Sequence, residues 1–246
     1  MKNLIAGNWK MNPVSQKEAK EIFDAIREGV RGLKSEVVIC PPFVCLYASS
    51  FGQGIVSMGA QNCFWEERGA FTGEISPAML KDLGIGFVII GHSERRKYFS
   101  ETDEMINKKI KAAINSEIEQ IFCIGETEEE RNNNKQEEVV ERQIKEGLKD
   151  VSDVAGMVIA YEPVWAIGTG KACSVEDAKK MKEFIEKIIL DLYGKDMASK
   201  VRILYGGSVN SQNSAEYIKE GRFNGLLVGG ASLKPEEFVS IVKSAE

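Results

Sequence analysis

The 246-residue chain contains one histidine, His92, and few cysteines near one another from which a zinc centre could be built. Zinc sites use close cysteine or cysteine–histidine pairs, and the nearest approach here is Cys40 with Cys45, with no second pair. No metal is expected. The five cysteines are odd in number and scattered through mostly apolar contexts, which reads as reduced thiols of a cytoplasmic protein. A positive excess is also missing: 32 Lys and Arg stand against 37 Asp and Glu, a net charge of −5. Nucleic acid and anionic membranes reward basic patches, so neither is an expected partner, and an anionic ligand must be held locally. No apolar run approaches the ~20 residues of a membrane span, and "MKNLIAGNWK" has too short an apolar stretch for a signal peptide. The chain also lacks a Walker A lysine motif and a G-x-G-x-x-G after a strand; "GTGKAC" (168–173) fits neither, which argues against nucleotide binding.

What the chain does contain is repetition. Short apolar, β-branched runs recur at Leu4–Trp9, Val37–Pro41, Val56–Gln61, Phe87–His92, Ile121–Glu126, Met157–Glu162, Val201–Ser208 and Leu226–Gly230. Their near-continuous apolar character is that of strands buried on both faces of a parallel sheet. Between them lie amphipathic stretches such as Ala19, Ile22, Phe23, Ile26 and Val30, the spacing of helices with one buried face. Helix starts are marked by "SQKE" (Ser15–Glu18), a capping-box pattern, by Ser76–Pro77, and by Pro235. Eight units average about 31 residues, enough for one βαβ step each. An open doubly wound sheet competes, but even repetition without a linker favours an α/β fold closed as a single-domain (β/α)8 TIM barrel over residues 1–246. The acidic runs over Glu126–Arg142 read as a solvated loop and helix face.

In such a barrel the active site lies where the strands end, and few reactive groups meet that condition: Asn8 and Lys10, His92 and Glu94, Glu162, and the pairs Gly206–Gly207 and Gly229–Gly230. Singly, each has a structural explanation as a surface lysine, a hydrogen-bonded histidine or a tight turn. Together on one rim they point to chemistry. Glycine pairs after strands seven and eight expose backbone N–H groups that favour phosphate, and Ser208 adds a hydroxyl. A carboxylate, an imidazole and an ammonium around a phosphate monoester suit proton transfer beside a carbonyl, with Glu162 as base, His92 as donor to the carbonyl oxygen and Lys10 as fixed charge. The segment Pro163, Val164, Trp165, Ala166, Ile167, Gly168, Thr169 has an apolar centre between proline and glycine, the make-up of a lid that shields a reactive intermediate from water.

The stretches "AGNWKMN" (6–12), "AQNCFW" (60–65), "GAFTGEIS" (69–76), "GHSERR" (91–96), "AYEPVWAIGTGK" (160–171), "LYGGSV" (204–209) and "VGGASL" (228–233) run from one end of the chain to the other. In these the chain resembles the triosephosphate isomerase family. The resemblance implies interconversion of dihydroxyacetone phosphate and D-glyceraldehyde 3-phosphate through an enediol, without cofactor, in glycolysis and gluconeogenesis. It implies Glu162 as catalytic base, His92 as electrophile, Asn8 and Lys10 as substrate-binding pair, and Glu94 as support for the lysine. It further implies Gly168, Ser208, Gly229 and Gly230 as phosphate binders, and a homodimer in which Thr72 reaches toward the partner's site.

Three departures stand out. Lys171-Ala172-Cys173 replaces the family's common Lys-Thr-Ala at the far hinge of the lid, making Cys173 a candidate oxidation-sensitive thiol. Ser100 stands where glycine is usual, and Glu66, Glu67 and Arg68 occupy the interface loop. Two other readings stay open at this level: another phosphate-binding barrel, such as a sugar-phosphate epimerase or phosphoribosyl isomerase, and a catalytically silent barrel acting as a dimeric scaffold.

Overall fold

The computed structural model describes residues 1–46, 54–167 and 172–246. Eight parallel strands among them close on themselves in sequence order: β1 (Leu4–Asn8), β2 (Glu36–Cys40), β3 (Val56–Ala60), β4 (Phe87–Ile90), β5 (Glu119–Ile124), β6 (Val158–Tyr161), β7 (Arg202–Tyr205) and β8 (Gly225–Val228). The closing seam pairs Leu4 with Gly225 and Ala6 with Leu227. Around the barrel run α1 (Gln16–Gly29), α2 (Phe43–Leu46), α3 (Pro77–Asp82), α4 (Ser93–Phe99), α5 (Asp103–Asn115), α6 (Glu128–Asn132), α7 (Gln136–Gly147), α8 (Val175–Ala198), α9 (Ser214–Lys219) and α10 (Pro235–Ser244). The (β/α)8 expectation holds, and the open-sheet alternative falls with closure.

The strands are shorter than the apolar runs at their C-terminal ends. Gly91 (φ +76°) and Gly125 (φ +157°) turn the chain off the sheet just after β4 and β5, in backbone conformations that favour glycine. His92 and Glu126 therefore stand on the rim, where Glu162, the residue after β6, joins them. At the other end β2 and β5 begin earlier than expected, with Glu36 and Glu119. The reason is electrostatic: both carboxylates pair with Arg202, the first residue of β7, and together they floor the barrel. Above that floor the interior is apolar, with Leu4, Ala6, Val38, Ile89, Ile121, Val158, Ala160 and Leu204 among its residues. Burying each large aliphatic side chain contributes about 1.5–3 kcal/mol. The second, larger core packs the outer faces of the strands against the helices through residues such as Phe23, Ile26, Ile110, Ile144, Ile185 and Phe238.

Helix starts follow the sequence with two adjustments. Ser76 caps α3 by accepting from the Met79 amide, with Pro77 in the first turn, and Pro235 opens α10. At α1 the forward half of the capping box forms, the Glu18 amide donating to Ser15 Oγ at 3.2 Å. Glu128–Asn132, expected as loop, is helical because Thr127 and Glu130 complete a reciprocal capping box there. Ser100 adopts φ 54°, ψ 35° as the C-cap of α4, its backbone N–H donating to the Arg95 carbonyl. The turn is kept, in a left-handed conformation that an L-residue adopts at a cost.

Candidate active site

β6 ends at Tyr161, and the next residue, Glu162, is 2% exposed. Its carboxylate is held from two sides: Oε2 accepts from the Ser93 amide at 3.1 Å, and Oε1 lies 3.1 Å from His92 Nε2. His92 occupies the N-cap of α4, and its Nδ1 accepts from the Glu94 amide at 3.2 Å. A nitrogen that accepts carries no proton, so this hydrogen bond sets the tautomer with hydrogen on Nε2, the atom nearest Glu162. Backbone and imidazole thus form one chain from helix amide to carboxylate.

Lys10 stands opposite. Its Nζ donates to Glu94 Oε1 at 2.5 Å, its amide donates to Asn8 Oδ1 at 3.0 Å, and its carbonyl accepts from Gln61 Nε2 at 2.8 Å. The backbone of Lys10 is left-handed, with φ +54°. Such an outlier persists only where neighbours over-determine it, and Asn8, Glu94 and Gln61 do so here.

These groups share one cavity of about 220 Å³, lined by Asn8, Lys10, His92, Glu162, Ile167, Ala172, Gly206, Gly207, Ser208, Val209, Asn210, Asn213, Leu227, Gly229 and Gly230. Every rim residue expected from the sequence borders it except Glu94, which reaches it through Lys10. Of the lid, Pro163 to Ile167 are described, with a 3₁₀ turn over Val164–Ala166; Gly168 and Thr169 lie outside the described residues, as does Lys171. Ser208 Oγ donates to the Ala166 carbonyl at 2.5 Å, joining the glycine loop to the near end of the lid. Thr72 is exposed on the loop between β3 and α3.

Sequence reading missed several contributors. Glu126, considered only as a strand end, is fully buried and accepts from Tyr161 Oη at 3.1 Å, Trp165 Nε1 at 2.9 Å and Arg131 at 3.3 Å, so it anchors the base of the lid. The Tyr161 hydroxyl is held well above its ordinary pKa by burial and by this carboxylate. Gln61, the last residue of an apolar run, braces Lys10 and Cys40. Its place on the rim was visible, but its partners lie 51 and 21 residues away. Cys173, expected as an oxidation-sensitive thiol, is instead buried, and burial pushes its thiol up to about 12, which disfavours the reactive thiolate.

A closed parallel barrel whose glycine-lined, carboxylate-bearing pocket opens at the C-terminal ends of its strands has the architecture of the (β/α)8 enzymes. Comparison with known proteins narrows the class. A family profile described as Triosephosphate isomerase matches residues 3–245. Curated proteins named triosephosphate isomerase are 51% identical over 247 residues in Dictyoglomus thermophilum, covering 99% of each chain. Those of Thermoanaerobacter pseudethanolicus and Alkaliphilus oremlandii are each 49% identical, covering 97% and 98% of this chain and 98% of their own. The chain belongs to the triosephosphate isomerase family.

Proposed function

We propose that this protein interconverts dihydroxyacetone phosphate and D-glyceraldehyde 3-phosphate, in glycolysis and gluconeogenesis. The observation that carries the reading is the 3.1 Å approach of Glu162 Oε1 to His92 Nε2 inside a pocket shared with Lys10 and the two glycine pairs. Glu162 takes the proton from the carbon beside the carbonyl and returns it to the neighbouring carbon. His92 donates from Nε2 to the oxygen that gains charge, and the two oxygens exchange their proton through it. Lys10, fixed by Glu94 and Asn8, supplies positive charge to the enediolate and the phosphate. The proton ends on the substrate it left, so the reaction balances without oxidant or cofactor. Triosephosphate isomerase is itself a general example of a glutamate base beside a neutral histidine, with a loop that closes over the substrate.

The phosphate is held by Ser208, Gly229 and Gly230 and by Gly168 of the lid, Pro163–Thr169, which excludes water from an intermediate prone to losing phosphate. Residues 1–246 work as one barrel domain in the cytoplasm, paired as a homodimer with Thr72 reaching toward the partner's site. Supporting the pairing, Phe71, Met79 and Tyr98 are exposed apolar side chains on the loop before α3, on α3 and on α4.

The test is isomerisation of D-glyceraldehyde 3-phosphate in a metal-free coupled assay, wild type against Glu162→Gln. Wild type is expected near the diffusional ceiling of about 10⁸–10⁹ M⁻¹s⁻¹, a limit for which triosephosphate isomerase is a standard example. The variant should lose several orders of magnitude. Wild-type protein without turnover, or Glu162→Gln with full turnover, would contradict the reading.

A further inference from the structure

We propose that Asn213 is a positioning residue for phosphate binding, holding the loop after β7 in its binding shape; the proposal rests on the isomerase reading above. Between β7 and α9 two asparagines tie the loop to itself. Asn213 Nδ2 donates to the Ser208 carbonyl at 3.1 Å, and Asn213 Oδ1 accepts from the Asn210 amide at 2.9 Å. Asn210 answers with its own Oδ1, which accepts from the amides of Gln212 at 2.9 Å and Asn213 at 3.0 Å. One side-chain amide therefore pins a carbonyl with its donor end and an N–H with its acceptor end.

Asn213 sits at the N-cap position of α9, where asparagine usually accepts from the first helical turn. It makes no such bond. Its side chain turns back into the loop instead, so the residue is spent on Ser208 and Asn210 rather than on the helix. The consequence reaches the pocket through the Ser208–Val209 peptide. In a planar trans peptide the carbonyl and the following N–H point in opposite directions, so fixing the Ser208 carbonyl fixes the direction of the Val209 N–H. Ser208 and Val209 both border the cavity, and among the described residues no hydrogen bond uses either of their amides. The Ser208 hydroxyl is engaged with the Ala166 carbonyl, so the donors this loop offers to an anion are its backbone N–H groups together with the side-chain amide of Asn210, whose Oδ1 alone is used within the loop.

The experiment uses the full-length protein as wild type, Asn213→Ala and Asn213→Asp. Inorganic phosphate is titrated calorimetrically, and kcat and KM are measured with D-glyceraldehyde 3-phosphate and with D-glyceraldehyde, which lacks the phosphate. Asn213→Ala is expected to weaken phosphate binding about tenfold, the factor given by one lost hydrogen bond of ordinary strength. KM for the phosphorylated substrate should rise in step, and its kcat/KM should fall at least fivefold more than that for D-glyceraldehyde. Asn213→Asp keeps the size and the acceptor but loses the donor to Ser208 and adds negative charge, so its phosphate affinity should be lower still. Unchanged phosphate affinity in both variants overturns the proposal, as does an equal loss on both substrates with a lowered melting temperature. A wild type without isomerase activity would instead sink the parent reading, while the phosphate titrations would still decide the role of Asn213.

Discussion

Replacing Gly206 by alanine should damage catalysis far more than binding. The Gly206 amide donates to the Tyr161 carbonyl at 2.8 Å, which lays this glycine alongside Glu162. A methyl group there would stand 2.9 Å from Glu162 Cγ, 3.4 Å from the Tyr161 oxygen and 3.7 Å from Glu162 Oε1. Carbon–carbon contacts settle at about 3.5–4.0 Å, so Cγ must retreat by roughly 0.6–1.1 Å. The buried carboxylate has His92 on one side and the Ser93 amide on the other, so the movement comes at the expense of both 3.1 Å contacts. A misplacement of about 1 Å in a reacting group costs about 10²-fold, or ~2.7 kcal/mol of barrier. The expected result in the coupled assay is kcat down about 10²-fold with a much smaller change in KM. Gly230→Ala is the contrast: nothing lies within 4 Å of its added carbon, and the residue borders the phosphate side of the cavity. That variant should raise KM and largely keep kcat. Wild-type kcat in Gly206→Ala, or the same split in both variants, would refute the steric argument.

Ser100→Gly should stabilise the protein by about 0.5 kcal/mol, because relief of a left-handed L-residue (~1–2 kcal/mol) exceeds the added freedom of glycine in the unfolded chain (~0.4–1 kcal/mol). Urea midpoints check this, and a destabilised variant would contradict it. Stability should also fall as pH rises above about 9. Burial raises the thiols of Cys40, Cys45, Cys63, Cys123 and Cys173 above their ordinary 9.0. It likewise raises the phenols of Tyr161, Tyr193, Tyr205 and Tyr217 above 10.0. Unfolded chains release these protons at the ordinary values while the folded protein keeps them, so folding is favoured below that range and loses ground above it. Lys109, lowered from 10.5 by burial, acts in the opposite sense but is one group against nine. Denaturant midpoints that stay level from pH 8 to 10.5 would refute the prediction.

The rim chemistry was legible because each reactive group directly follows an apolar run, and strand ends converge once a parallel sheet closes. Lys10, His92 and Glu162 could be found without a partner in view. The supporting groups could not. Gln61, Glu126 and Asn213 are ordinary polar residues in sequence, and what distinguishes them is a carbonyl, an indole or an amide supplied by another turn of the chain. Arg202, Glu36 and Glu119 were missed for a related reason: charged residues at the starts of strands look like solvated flanks until three strands bring them together under the core. Cys173 misled because a motif position says nothing of exposure, which burial by neighbouring elements decides.

The left-handed backbone of Lys10 has a thermodynamic consequence. An L-residue in that conformation carries a cost of about 1–2 kcal/mol, which the barrel's folding meets through the bonds from Asn8, Gln61 and Glu94. The ammonium is thereby ordered before any ligand arrives, so an incoming anion need not immobilise a flexible side chain of the kind that otherwise weakens association. Affinities across a series of anions should then track how well each matches a fixed charge position, and the rim acts toward its ligands as a rigid gauge rather than an adaptable surface.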